Sequence, residues 1–174
     1  VEESLPNLLQ KLDGTALFCF VDIDRFKQAN QISYAFGDSL LSAFSQRLAS
    51  LLRAHDLVCR FGGDEFIVIL SDLSAADASL QGQAICERLL ARMQEPYRID
   101  GRLYSVTISI GCCPIDTQST FEGLIKRADD ALRATKRSGG NALSVIEGVK
   151  AKIAQLQPSL PAGVVIRPFY DRST

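Results

Sequence analysis

Apolar runs separated by polar turns predict a domain that mixes strands and helices. Residues Ala16–Val21 are apolar without a break, and this short run predicts a strand in the middle of a sheet. Apolar residues three and four apart predict helices, and shorter apolar runs predict further strands. The predicted helices contain Leu40–Leu52, Ala75–Met93 and Phe121–Lys136, and the other predicted strands are Leu57–Arg60, Phe66–Leu70, Tyr97–Ile99, Leu103–Gly111 and Leu143–Ile146.

The order of these elements is β-α-β-β-α-β with an extra helix before the last strand. This order favours an α+β, ferredoxin-like core, in which helices pack on a mixed and largely antiparallel sheet. The core elements end near Glu147, so we expect one domain over residues 1–147 and a tail over residues 148–174. Within the tail, residues 149–156 favour a short helix that ends before Pro158.

Composition narrows the classes of function. The 174 residues carry a formal net charge of −1, which argues against binding a nucleic acid polymer or an anionic membrane surface. Neither a membrane span nor a signal peptide is visible, and five cysteines without a C-x-x-C pair predict a reducing, cytoplasmic setting and no structural zinc. A single histidine, His55, makes a Ser-His-Asp hydrolase improbable.

An acidic cluster follows the first predicted strand. Asp22 and Asp24 fall on one side if the strand continues, and Ile23 falls on the other. Two carboxylates there suit a hard cation, and Lys27 suits phosphate oxygens. The alternative is an acidic turn in which Asp24 caps the next helix.

A second acidic cluster lies between two predicted strands at Gly62-Gly63-Asp64-Glu65. The glycines permit a tight turn and the close approach of a ligand. An acidic hairpin turn of this kind is often simply exposed to solvent and binds nothing. We expect it instead to lie centrally in the sheet, beside the end of the Asp22 strand, where the carboxylates would repel one another without a cation. Magnesium-dependent phosphoryl transfer supplies such a cation.

These residues resemble the GGDEF domain, the bacterial diguanylate cyclase family. Besides Gly62–Phe66, the resemblance rests on several separately spaced motifs over roughly residues 4–147. They are Asp22-Ile-Asp-Arg-Phe-Lys-Gln-Ala-Asn30 for D-x-D-x-F-K-x-x-N, Arg53-Ala-His-Asp56 for R-x-x-D, Ser109-Ile-Gly111, Ala128–Leu132 with Lys136, and a remnant of the family's opening segment at Leu5-Pro6-Asn7.

The resemblance implies a palm-type βαββαβ core and the condensation of two GTP molecules into cyclic di-GMP and two pyrophosphates. It also implies roles for individual residues. Asp22, the Ile23 carbonyl, Asp64 and Glu65 would hold Mg²⁺ (or Mn²⁺), with Asp64 and Glu65 catalytic; Phe26 amides, Lys27 and Lys136 would hold the triphosphate; Asn30 and Asp38 would recognise guanine; Arg53 and Asp56 would form an inhibitory product site.

Two departures from the family pattern leave a second interpretation open. The segment from Asn30 to Asp38 is one residue shorter than the family's, and Gly140 replaces an arginine that helps the lysine to hold the triphosphate. Arg133 and Thr135 replace a tyrosine and an alanine. A weak cyclase and a degenerate module that only binds GTP or cyclic di-GMP are both compatible with these changes.

The resemblance also implies partners. Each domain would bind one GTP, so catalysis would need a homodimer, and further domains of a longer protein would control it. The expected location is the cytoplasm, including the cytoplasmic part of a membrane-attached protein. Residues 142–173 resemble a fragment of heavy-metal RND efflux pumps, which suggests a gene-fusion remnant; the alternative is an ordinary linker.

Overall fold

The computed structural model describes residues 15–74 and 76–137, together with the backbone of a strand at 143–145. Seven strands and four helices occur in this part of the chain. In chain order they are β1 Thr15–Ile23, α1 Lys27–Ile32, α2 Tyr34–Leu51, β2 Leu57–Gly62, β3 Glu65–Leu73, α3 Ala78–Met93, β4 Tyr97–Ile99, β5 Arg102–Tyr104, β6 Ile108–Ile115, α4 Phe121–Arg137 and β7 Leu143–Val145.

Five of the strands form one mixed sheet in the order β2-β3-β1-β6-β7. β1 lies at its centre and pairs antiparallel with both β3 and β6, whereas β7 runs parallel to β6. The antiparallel sheet with flanking helices confirms the predicted class, and β1 is buried along almost its whole length as the unbroken apolar run predicted.

Alternate residues of β1 belong to two separate cores, one on each face of the sheet. Leu17, Cys19 and Val21 pack with α2 and α3 on one face. Phe18 and Phe20 pack with α4 on the other. Burial of each large apolar side chain contributes about 1.5–3 kcal/mol, so β1 is fixed in register from both sides. The polar residues that follow the strand are thereby fixed as well.

Three expectations about the elements were wrong in detail. β2 is an edge strand with half-exposed residues, so the acidic hairpin joins the edge strand to its neighbour and does not lie between two buried strands. The predicted strand Leu103–Gly111 is two strands, because β5 pairs with β4 in a separate hairpin before β6 enters the main sheet. The short helix α1 was not predicted.

Some expectations concern residues that the structure does not describe. The tail 148–174, the opening residues around Pro6 and the substituted Gly140 lie outside the described residues. The last predicted strand is present as β7. None of the helices described here is both long and apolar enough to cross a membrane.

Gly111 allows the close packing of α4 on β6. A Cβ atom at this position would overlap the backbone of Ala128 and Leu132 on α4, which cannot move away independently of the helix. We expect Gly111→Ala to lower the free energy of unfolding by about 2–3 kcal/mol, measured by urea denaturation. Gly123→Ala, a change within α4 itself, is the control and should shift stability by less than about 1 kcal/mol. Equal effects of the two changes would contradict this account of Gly111.

Candidate active site

The carboxylates of Asp22, Asp64 and Glu65 meet where β1 and β3 run side by side. Asp22 stands opposite Glu65 in the β1–β3 register. The Ile23 amide donates a hydrogen bond to the carbonyl oxygen of Asp64 at 3.1 Å, which ties the hairpin turn to the end of β1. Gly63 adopts a left-handed φ of 41°, a conformation that favours glycine. The two acidic clusters expected from the sequence therefore form one site.

Asp22 is a buried carboxylate that faces an ammonium group. It is 6% exposed, and its Oδ1 lies 2.7 Å from Lys136 Nζ at the end of α4. Burial raises the pKa of Asp22 to about 6; the Lys136 contact opposes this shift, and the charges of Asp64 and Asp24 reinforce it. The site therefore holds more negative charge than one lysine neutralises.

Glu65 is shifted in the same direction. Burial raises the pKa of its carboxyl above the usual value, with further contributions from the negative charges of Asp64 and Asp129. Asp129, on α4, was not among the residues predicted for the site. Its position about two turns into an amphipathic helix gave no signal that it lies near Glu65 of β3.

Asp24 has a positioning role that the sequence did not reveal. Its carboxylate accepts hydrogen bonds from Thr107 Oγ1 at 2.7 Å and Ser109 Oγ at 2.8 Å, and its amide donates to the Thr107 carbonyl at 2.9 Å. The alternative, in which Asp24 caps the next helix, is wrong because Phe26 precedes α1 and contributes no capping side chain. Asp24 fixes the turn after β1 against the start of β6.

Apart from Lys136 on α4, the residues expected to bind nucleotide lie at the start of α1, on α1 and on α2. Arg25 has a left-handed φ of 57° and turns the chain from β1 into α1, leaving Lys27 exposed at the first position of the helix. Ser33 separates α1 from α2, and its Oγ accepts a hydrogen bond from the Phe36 amide at 3.0 Å. Gly37 packs directly on the Asn30 side chain, and Asp38, the next residue along α2, is exposed.

Arg53 and Asp56 form a second cluster. The Arg53 guanidinium donates two hydrogen bonds to the Asp56 carboxylate, both at 3.1 Å, and one to the Ser71 carbonyl at 2.9 Å. Asp56 is 8% exposed and also accepts from the backbone amides of Arg53 and Ser71. Ser71 is six residues along β3 from Glu65, about 20 Å in an extended strand, so this cluster is separate from the acidic site.

Comparison with known proteins agrees with this geometry. Residues 1–142 match the family described as diguanylate cyclase, GGDEF domain. The chain belongs to the GGDEF family. The GGDEF domain of PA1120 (YfiN or TpbB) from Pseudomonas aeruginosa superposes with a TM-score of 0.73 at 31% identity, covering 84% of this chain and 90% of that one.

Two curated relatives are much longer than this chain. It is 42% identical to the response regulator PleD of Caulobacter vibrioides over 71% of this chain and 27% of that protein. It is 39% identical to the cyclic di-GMP phosphodiesterase NbdA of Pseudomonas aeruginosa over 80% of this chain and 17% of that protein. The chain thus spans less than a third of either relative. None of these matches supports the resemblance of the tail to an efflux pump.

The GGDEF structure groups the predicted residues into three sets. Asp22, Ile23, Asp64, Glu65 and Lys136 are close together, and Asp24 supports them. Phe26, Lys27, Asn30 and Asp38 follow on the two helices after β1. Arg53 and Asp56 stand apart. Thr107 and Ser109, which hold Asp24, were missed because their link to it is made only by the β1–β6 register.

The raised pKa of Asp22 predicts how replacing this residue with asparagine changes the free energy of unfolding. Its pKa is 3.8 in the unfolded reference and about 6 in the fold, so ionisation between these values disfavours the folded state. In a chelator, Asp22→Asn should stabilise the protein by up to about 3 kcal/mol above pH 6. The gain should disappear below about pH 3, where Asp22 is protonated in both the folded and the unfolded state. Urea unfolding across this pH range measures it, and a gain independent of pH would contradict the assignment.

Proposed function

We propose that this GGDEF domain condenses two molecules of GTP into cyclic di-GMP and two pyrophosphates. The observation that carries the proposal is the pairing of Asp22 with Glu65 beside Asp64, with Lys136 as the facing cation. An excess of carboxylates at the end of two paired strands suits chemistry on a triphosphate, in which negative charge is brought together with a metal ion.

The donor set fits a hard divalent cation. Asp22, Asp64 and Glu65 offer carboxylate oxygens and Ile23 offers its carbonyl, and oxygen ligands of this kind suit Mg²⁺ or Mn²⁺. Burial is the main cause of the raised pKa of Asp22, and the negative charges of Asp64 and Asp24 add to it; a bound cation offsets both effects. When bound, the ion supplies electrostatic stabilisation of the phosphate oxygens.

The substrate is held by residues that follow β1 and by Lys136 on α4, around the carboxylates of the acidic site. Lys27 and the backbone amides at Phe26 take the triphosphate, because a lysine and the start of a helix both favour negative charge. Asn30 and Asp38 hydrogen-bond the guanine edge. Lys136 exchanges its contact with Asp22 for phosphate oxygens when nucleotide binds.

In each of two equivalent steps, the 3′-oxygen of one GTP attacks the α-phosphorus of the other. A phosphodiester bond forms, the bond to the β-phosphate bridging oxygen breaks, and pyrophosphate leaves. Glu65 accepts the proton of the 3′-hydroxyl, a role favoured by its raised pKa. Because each domain holds one GTP, two copies must face each other across a two-fold axis.

Asp64→Asn should remove this activity. We expect the rate of cyclic di-GMP formation to fall roughly 100-fold or more, because an anionic ligand becomes neutral without a change in size. Chromatography of products from GTP and Mg²⁺, after removal of any bound cyclic di-GMP, measures the rate. Asp100→Asn, in the exposed β4–β5 turn, is the matched control and should be fully active. Unchanged turnover in Asp64→Asn would overturn the site.

A second candidate function is nucleotide binding without turnover. Its support is the shortened segment from Asn30 to Asp38, together with the relative NbdA, which is named a phosphodiesterase. In this case calorimetry on the wild-type chain shows binding of GTP or cyclic di-GMP while the product assay stays at background. Robust synthesis by the wild type excludes it.

We also propose product inhibition at Arg53 and Asp56. The Arg53 side chain is 36% exposed, while that of Asp56 is 1% exposed. Arg53 is therefore the group that a dinucleotide reaches, and Asp56 holds its guanidinium in place. Planar guanidinium groups suit the paired acceptors of guanine and phosphate. Control by further domains, and a cytoplasmic location, belong to the same proposal about the longer protein.

Arg53→Ala tests the inhibitory role separately from catalysis. The concentration of cyclic di-GMP that halves the initial rate should rise roughly tenfold to a hundredfold, since a charge-assisted contact is lost. The uninhibited rate should stay near that of the wild type. Arg98→Ala, an exposed arginine on β4, controls for the loss of a positive charge. An unchanged inhibition curve would contradict the assignment of Arg53.

A further inference from the structure

Three cysteine thiols meet in the core on the sheet face opposite the acidic site. Cys19 on β1 stands directly across from Cys112 on β6, and Cys86 reaches them from α3. The Cys112 and Cys19 sulfurs are 2.7 Å apart, those of Cys86 and Cys112 are 3.7 Å apart, and all three lie within 4.8 Å of one another. Three sulfurs bound to one atom at about 2.3 Å are separated by roughly 3.3–4 Å, so this cluster is close to a ligand set.

The surroundings of this three-cysteine cluster restrict what it can bind. Each of the three residues is at most 1% exposed, within an apolar core. Burial raises the pKa of the Cys112 thiol. Among the described residues, no histidine or carboxylate completes this group of potential ligands. A tetrahedral zinc site therefore lacks its fourth ligand.

The net charge of the complex determines which soft ion three buried thiolates can hold. Three thiolates around a monovalent or divalent ion leave a net negative charge, and an uncompensated charge is costly in an apolar core. Three thiolates around a trivalent centre are neutral. We propose that Cys19, Cys86 and Cys112 form a three-sulfur site for trivalent arsenic, taken up as arsenous acid.

The binding step is a ligand exchange without oxidation or reduction. Three As–O bonds break and three As–S bonds form, and each hydroxide leaves as water with the proton of one thiol. Arsenic stays trivalent throughout. Because the sulfurs are buried beneath α3, entry needs a local opening of this helix from the sheet, so binding is slow compared with that of an exposed thiol.

The wild-type chain is tested with arsenous acid in a phosphine reductant, which keeps the thiols free without competing dithiols. Native mass spectrometry should show one arsenic per chain with the loss of three protons. X-ray absorption at the arsenic edge should show three sulfur neighbours. The Tm should rise by roughly 5–10 °C at a hundredfold excess over Kd, because the ligand binds the folded state.

Single alanine variants of Cys19, Cys86 and Cys112 should each lose the three-sulfur signature and the rise in Tm. The control is Cys59→Ala/Cys113→Ala, which retains the cluster; Cys113 follows Cys112 but packs toward α4 on the other face. Circular dichroism shows whether each variant folds. If a variant does not fold, the X-ray absorption spectrum of the wild type at the arsenic edge tests the three-sulfur site by itself. Two sulfur neighbours, binding lost in the control, or no adduct at equilibrium would overturn the proposal.

Discussion

The contact between the buried Asp22 carboxylate and Lys136 links the core to the chemistry of this domain. It joins the central strand β1 to the end of α4 across one face of the sheet. A carboxylate in this position is costly when ionised, as its raised pKa indicates, and one lysine compensates it only in part. The fold therefore maintains a site of excess negative charge. Packing on both faces of the sheet fixes β1, so Asp22 cannot move away from the other carboxylates.

Two further interactions fix the position of that site. Asp24 accepts hydrogen bonds from Thr107, just before β6, and from Ser109 on β6, and these bonds hold the turn after β1 in place. Gly111, two residues beyond Ser109, lets α4 approach closely enough for Lys136 to reach Asp22. The sequence Ser109-Ile-Gly111 thus serves both packing and positioning, with alternate residues facing the same helix.

Much of the fold could be predicted from sequence, because strand alternation and helical spacing are local signals, whereas the roles expected of the site residues came from the resemblance to the GGDEF family. Ala16–Val21 predicted the central strand, and the two acidic motifs predicted a shared site. Relations that depend on register could not be predicted in this way. The edge position of β2, the support of Asp24 by Ser109 and the meeting of Cys86 with Cys19 all arise from which elements pair, not from any single segment.

The shortened segment between Asn30 and Asp38 shows how a local change is absorbed by the structure. Ser33 takes an extended conformation, with φ of −168°, and its side chain caps α2, so two helices meet at one residue without a longer loop. Gly37 then allows the second helix to pack on the Asn30 side chain. Asn30 and Asp38 therefore lie on adjoining helices, on either side of Ser33. This direct helix–Ser33–helix junction offers few backbone torsions for adjusting either side chain to the guanine edge that we propose they bind.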